Sequence, residues 1–152
     1  MLTPDGPKVI EYNCRFGDPE TQVVLPLLRT DLLTVMQAVE NETLGELEVE
    51  WSDGAAACVI LASGGYPVAY EKGKVITLPD TLPENVTLYH AGDKLSDGAL
   101  VTSGGRVLGV GAVAATLPDA LRDAYAAADT VRFEGAYLRR DIGHAALRVQ
   151  EG

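Results

Sequence analysis

Three residues near the N-terminus carry side chains suited to a nucleotide and its metal. In Lys8-Val9-Ile10-Glu11-Tyr12-Asn13-Cys14 the alternation predicts a strand with Val9, Glu11 and Asn13 on one side and Ile10, Tyr12 and Cys14 on the other. On such a strand Glu11 and Asn13 stand about 7 Å apart. A carboxylate beside an amide carbonyl is an all-oxygen pair of the kind Mg²⁺ takes. The same spacing also describes a plain exposed polar strand face. Arg15, two residues further on the same face, adds a fixed cation that can hold a phosphate or carboxylate through two parallel hydrogen bonds.

The elements that must position these groups follow from capping and periodicity. Asp18-Pro19-Glu20 reads as a helix start, with Asp18 as N-cap, Pro19 at the first helical position and Glu20 favoured by the dipole, and the helix stops near Pro26 or Arg29. A second helix is predicted from Asp31, because Leu32, Val35, Met36 and Val39 form one apolar stripe, with Gly45 marking its end. From Trp51 the pattern changes to short apolar runs, Ala55 to Ala62, Lys74 to Leu78, Val86 to His90 and Arg106 to Ala115, separated by glycine-containing turns such as Ser96-Asp97-Gly98. A meander or small barrel-like sheet is expected. One helix interrupts it, from the Thr116 cap to about Val131, with Leu117, Leu121, Ala124 and Ala128 on the stripe that covers a sheet face.

Charge and composition remove several function classes. The 22 acidic against 12 basic residues give a formal charge of −10, which repels nucleic-acid phosphates and anionic lipid alike. No apolar run approaches the roughly 20 residues that cross a bilayer, and the first residues lack the parts of a signal peptide, so a cytosolic (cytoplasmic) location is expected. The two cysteines, Cys14 and Cys58, sit in apolar runs and read as buried reduced thiols. Gly109-Val110-Gly111-Ala112-Val113-Ala114 has the form of a dinucleotide fingerprint, but the next helix starts too late, and close packing of small residues under a helix explains it better. His90 and His144 lack zinc-ligand spacing and read as structural or surface residues.

The string Glu11-Tyr12-Asn13-Cys14-Arg15-Phe16-Gly17-Asp18-Pro19-Glu20-Thr21-Gln22 resembles the ATP-grasp metal strand followed by the signature of the phosphoribosylamine–glycine ligases. Ser63-Gly64-Gly65-Tyr66-Pro67, His90-Ala91-Gly92, Gly104-Gly105-Arg106-Val107-Leu108 and Arg140-Asp141-Ile142-Gly143 resemble later landmarks of that family in the same order. The resemblance implies an α+β chain. Residues 1–48 would be a remnant of the ATP-grasp sheet with its helices. Residues 49–152 would be a β-rich C-terminal domain of the barrel-sandwich, rudiment single hybrid type with a covering helix.

The same resemblance implies a reaction, the ATP-dependent joining of glycine to 5-phosphoribosylamine through glycyl phosphate, assisted by Mg²⁺ or Mn²⁺. It makes Glu11 and Asn13 metal ligands. Arg15 becomes the catalytic and substrate-binding residue that steadies the acyl phosphate or a substrate carboxylate, and Gly17 and Asp18 help to hold the phosphoribosyl substrate. For Asp18 a simple helix cap remains the competing role. Because the segment starts just before the metal strand, the chain by itself is expected to lack ligase activity. Its first 45 or so residues are expected to self-associate through the exposed strand or to lose order. The rival expectation is an independent, non-catalytic β-rich binding or scaffold module that retains an ATP-grasp strand.

Overall fold

The computed structural model describes residues 1–150; the final two residues of the expected second domain, 151 and 152, lie outside them. A two-residue-per-strand hairpin, β1 (Leu2–Thr3) and β2 (Gly6–Pro7), opens the chain. The helix α1 (Thr21–Val24) runs into a 3₁₀ turn at Leu25–Leu27, and α2 follows (Leu32–Glu40). After a second short 3₁₀ turn come β3 (Ala55–Ser63), β4 (Val86–His90), β5 (Asp93–Ser96), β6 (Ala99–Thr102) and β7 (Arg106–Ala114). The long helix α3 (Leu117–Ala128), the short β8 (Ala136–Tyr137) and α4 (His144–Gln150) complete the order.

Four strands form one antiparallel sheet in the order β4-β7-β3-β8, and β5 and β6 make a separate ribbon. The α+β class expected from the resemblance is the class observed. Among the described residues the sheet stays open, with β4 and β8 as edges. The predicted strand over Lys74 to Leu78 is reduced to two isolated bridges, Val75 to Val101 and Thr77 to Arg132. It spans between two partners and follows neither, so no ladder builds.

The centre of the sheet is apolar because β7 is buried on both faces and β3 on one, with its other face partly covered. Val59, Leu61, Val107, Leu108 and Val110 are almost wholly enclosed. Runs of Val, Ile and Leu rather than strict alternation are the signature of such strands. The helix α3 closes one face with Ala120, Ala124, Ala127 and Ala128, whose small side chains let its axis lie near the sheet. Its start matches the sequence: Thr116 Oγ1 accepts from the Asp119 backbone N–H at 3.3 Å and donates to the Asp119 carboxylate at 2.7 Å. The β5–β6 turn, Asp97-Gly98, has φ of 51° and 81°, the mirror-image turn that matches strand twist and favours glycine second.

The N-terminal prediction fails in one place. Residues 8–17 form no strand, and Val9, Ile10, Tyr12 and Cys14 are exposed. A strand is stabilised by its ladder partner, and beyond Lys8, which pairs with Met1, nothing among the described residues lies alongside to supply one. Cys14 is therefore not the buried thiol the alternation implied. By contrast α2 begins where expected, with the Asp31 carboxylate accepting from the Thr34 N–H at 2.9 Å, although it ends at Glu40 rather than at Gly45.

Candidate functional site

The signature segment meets the sheet through an ion pair that spans 88 residues of sequence. Arg106, the first residue of β7, reaches the Asp18 carboxylate through Nη2 at 2.9 Å and donates from Nη1 to the Asp18 carbonyl oxygen at 3.1 Å. Gln22 Nε2 donates to the same carboxylate at 2.7 Å. These contacts correct the helix-cap expectation. The backbone makes a turn closed by Thr21 N–H to the Gly17 carbonyl at 3.1 Å, α1 starts only at Thr21, and no side chain caps it. Asp18 is drawn sideways to a guanidinium instead. Both partners are about half exposed, so the pair contributes on the order of 1 kcal/mol or less to stability. Its value lies in fixing where the segment sits.

The other predicted residues lie along the exposed stretch before this clasp. Glu11 is exposed and outside regular structure, and Asn13 and Arg15 border an open groove of about 730 Å³. The only hydrogen bond of the Arg15 side chain among the described residues is a long one, 3.4 Å, to the neighbouring Phe16 carbonyl. The structure thus brings Gly17 and Asp18 into one compact turn but leaves Glu11, Asn13 and Arg15 in the segment leading to it. Among the described residues no group of three or more His, Cys, Asp or Glu side chains gathers to hold a metal. The groove is apolar, floored by Val24, Leu32, Val35, Met36 and Val39, so the predicted stripe of α2 exists but Met36 and Val39 remain 49% and 56% exposed.

A second, more polar pocket of about 590 Å³ opens beside the clasp, lined by Gly17, Asp18, Gln22, Tyr89 and His90 among others. His90 Nδ1 forms a short hydrogen bond with the Asp93 carboxylate, which is only 4% exposed. The glycines of the rejected dinucleotide pattern sit behind this pocket. A Cβ on Gly111 would lie 2.8 Å from Tyr89 Cε2 and 3.7 Å from the Gln22 carbonyl oxygen, so the small residue lets Tyr89 and α1 approach β7. The helix over those glycines is α1. Sequence reasoning missed Arg106 and the His90–Asp93 pair as parts of the site; the available signals were Gly104-Gly105-Arg106 and the i,i+3 spacing of His90 and Asp93.

Cys58 lies on β3 near the clasp, and its thiol is pushed up to about 11, first by burial and second by the Asp18 charge. The folded thiol keeps its proton between the ordinary 9.0 and about 11, where the unfolded thiol loses it, so the folded state binds more protons there. Stability therefore falls as pH rises through that window. Since the thiolate is the reactive form, iodoacetamide at pH 8 is expected to label exposed Cys14 and to spare half-buried Cys58 until urea is added. Peptide mapping reads the outcome, and equal labelling of both in the folded chain would refute it.

An open antiparallel sheet roofed by one helix and clasped to an exposed polar segment defines an α+β module. The family described as "Phosphoribosylglycinamide synthetase, C domain" matches residues 56–145, and its ATP-grasp (A) domain matches residues 1–21. The chain belongs to the phosphoribosylglycinamide synthetase family. It is 52% identical over 149 residues to the phosphoribosylamine–glycine ligase of Chlorobaculum tepidum, covering 97% of this chain and 35% of that protein. It is 49% identical over 149 residues to the trifunctional purine biosynthetic protein adenosine-3 of Gallus gallus, covering 97% of this chain and 15% of that one. The crystal structure of the Thermotoga maritima phosphoribosylamine–glycine ligase superposes with a TM-score of 0.73 at 41% identity, over 93% of this chain and 34% of that one. The chain spans about a third of the length of the single-activity ligases it matches. No helix among the described residues is long and apolar enough to cross a membrane.

Proposed function

We propose that this segment is one wall of an ATP-dependent carbon–nitrogen ligase, joining glycine to 5-phosphoribosylamine with release of ADP and phosphate. The observation that carries this proposal is the clasp between Asp18 and Arg106, which ties the part similar to an ATP-grasp domain to the part similar to the synthetase C domain. A scaffold module would have no need of that connection. In this view residues 1–48 end the ATP-grasp domain and the β-rich domain begins near residue 49.

Each residue then has a task that its placement permits. Glu11 and Asn13 offer hard oxygen donors, the kind Mg²⁺ or Mn²⁺ accepts, and both are exposed enough to do so. Two donors do not make a site, so a bound ion would need further oxygen donors, from the phosphates of ATP and from residues outside this chain. When bound, such an ion neutralises phosphate charge during phosphoryl transfer. The exposed guanidinium of Arg15 is placed to hold an acyl phosphate or a carboxylate. Gly17 and Asp18 shape the pocket wall against the phosphoribosyl substrate, with the Asp18 carboxylate kept in place by Arg106 and Gln22. In this view the isolated chain self-associates through its exposed N-terminal segment, residues 8–14.

The test is complementation. The chain alone is expected to give no phosphate release dependent on glycine and phosphoribosylamine. Addition of separately produced ATP-grasp lobes from a ligase of this family is expected to restore it. Turnover by the chain alone, or none with the lobes present and bound, would overturn the proposal.

A further inference from the structure

Four cavities of this chain carry a carboxylate on their walls. The pocket beside the clasp has Asp18, the groove along α2 and the cleft between β3 and α4 share Glu20, and a smaller cavity beside α3 has Asp123. A fifth, of about 420 Å³ over the β5–β6 ribbon, has no carboxylate among its lining residues. It has two lysines instead, Lys72 and Lys94, with the hydroxyl residues Ser96 and Ser103 beside them. In a chain of formal charge −10, such a local reversal of sign attracts an anion.

The floor of this cavity is fixed by backbone pairing. Lys94 is opposite Val101 in the ladder, so Lys94, Ser96 and Val101 share one face of the ribbon, while Asp93 and Leu95 take the other. On the far side of β6 the segment after Lys72 is tied to the ribbon: Gly73 N–H donates to the Thr102 carbonyl at 2.7 Å, and Thr102 N–H to the Lys74 carbonyl at 2.9 Å. Lys74 N–H donates in turn to Oγ1 of the buried Thr102 at 3.1 Å. The two lysines therefore reach the cavity from segments that flank β6 on either side.

The neighbouring acids are engaged elsewhere. Glu71 and Glu134 both pair with Lys74, at 2.7 and 3.0 Å, and Asp93 is taken by His90. Asp97 accepts from Ser96 Oγ at 3.3 Å, a contact that a ligand must displace. Lys72 and Lys94 have no ion-pair partner among the described residues. Lys72 Nζ lies 5.9 Å from the centre of the Tyr70 ring, which steadies the cation without neutralising it. A compact dianion gains from both ammonium charges, and its oxygens also accept from hydroxyl groups.

We propose that this cavity binds a phosphate group, held between Lys72 and Lys94 with hydrogen bonds donated by Ser96 and Ser103. The inference rests on this charge arrangement and not on the ligase function proposed above.

The test uses the whole chain and two probes, inorganic phosphate and glycerol 2-phosphate, each titrated against sodium chloride of matched ionic strength and followed in backbone ¹H–¹⁵N spectra. Both are expected to shift the amides of Gly73, Lys94, Ser96 and Ser103 along a saturating curve that chloride does not reproduce. K72M and K94M are each expected to weaken binding about threefold or more, the size of a solvent-exposed ion pair, and the double variant is expected to abolish saturation. K72R/K94R keeps both charges and is expected to retain binding, and K8M, outside the cavity, is expected to leave it unchanged. Tighter binding of the ester makes an esterified phosphate the ligand, and equal or tighter binding of the inorganic ion makes it free phosphate; either supports the site. Shifts in the parent chain that do not saturate or that chloride matches overturn the inference, as does saturable binding that persists in a folded double variant. Failed complementation beside saturable phosphate binding would remove the ligase function alone.

Discussion

Replacing Glu11 by Ala in the complemented ligase is expected to lower kcat/KM at least about 10²-fold, equivalent to about 2.7 kcal/mol of transition-state stabilisation. The expectation follows from what the position offers. Glu11 is the one carboxylate in the segment from Glu11 to Arg15, and Mg²⁺ exchanges its waters reluctantly for neutral oxygens alone. Loss of the carboxylate leaves Asn13 as the only donor there, so the metal requirement rises together with the loss of rate. Stability should not change: the side chain is exposed, and surface changes of this kind stay within about 0.5 kcal/mol. Steady-state rates over a Mg²⁺ series, beside urea unfolding, separate the two effects. A variant that works within threefold of the parent at limiting Mg²⁺ would exclude Glu11 as a ligand.

The largest stability effect is expected from Leu108→Ala. Leu108 is 0% exposed, sits in β7 opposite Leu61 on one side and His90 on the other, and belongs to the main core cluster with Ala124 and Val110. Truncation in such a place removes transfer energy and leaves a cavity that a central strand cannot close, a loss of about 2–5 kcal/mol. Domains of this size have only about 5–15 kcal/mol in all, so the unfolding midpoint in urea should fall sharply with the slope unchanged. Met36→Ala gives the contrast. That side chain lies on the open groove, 49% exposed, and its loss should cost less than about 1 kcal/mol. Equal midpoints for the two variants would mean that the sheet between α1 and α3 is not the core.

The parts of the fold that local patterns dictate were legible in the sequence. The strands β3, β4 and β7 are apolar runs bounded by glycine turns, and α2 and α3 announce themselves by Asp31, Thr116 and their periodic stripes. What escaped depends on partners distant in the chain. The segment 8–14 alternates like a strand, yet alternation specifies only a preference, and without a ladder the backbone stays irregular. Asp18 has the residue type and context of a cap, but a guanidinium from the start of β7 claims it. α4 went unforeseen because its seven residues are too few to establish a period. It is held from outside: Tyr125 Oη donates to the Arg139 carbonyl at 2.8 Å and accepts from the Ile142 N–H at 3.1 Å, bringing the Gly143 turn onto α3. Within the candidate site the order of visibility was the same. The family resemblance gave roles to Glu11, Asn13, Arg15, Gly17 and Asp18 and marked Gln22, His90 and Arg106 only as landmarks, and the contact of Arg106 with Asp18 becomes visible only once the fold brings them together.

The separation of Asp18 from Arg106 also sets an order of events in time. A contact closing 88 residues loses loop entropy that grows with the logarithm of that length, and a half-exposed ion pair repays little of it. The clasp is therefore a late arrival in folding, made once β3 and β7 have already drawn the distant positions together. During synthesis the signature segment leaves the ribosome well before Arg106 exists. Until β7 is made, Asp18 has no guanidinium to hold it, and the sheet that follows it in the chain is what supplies one.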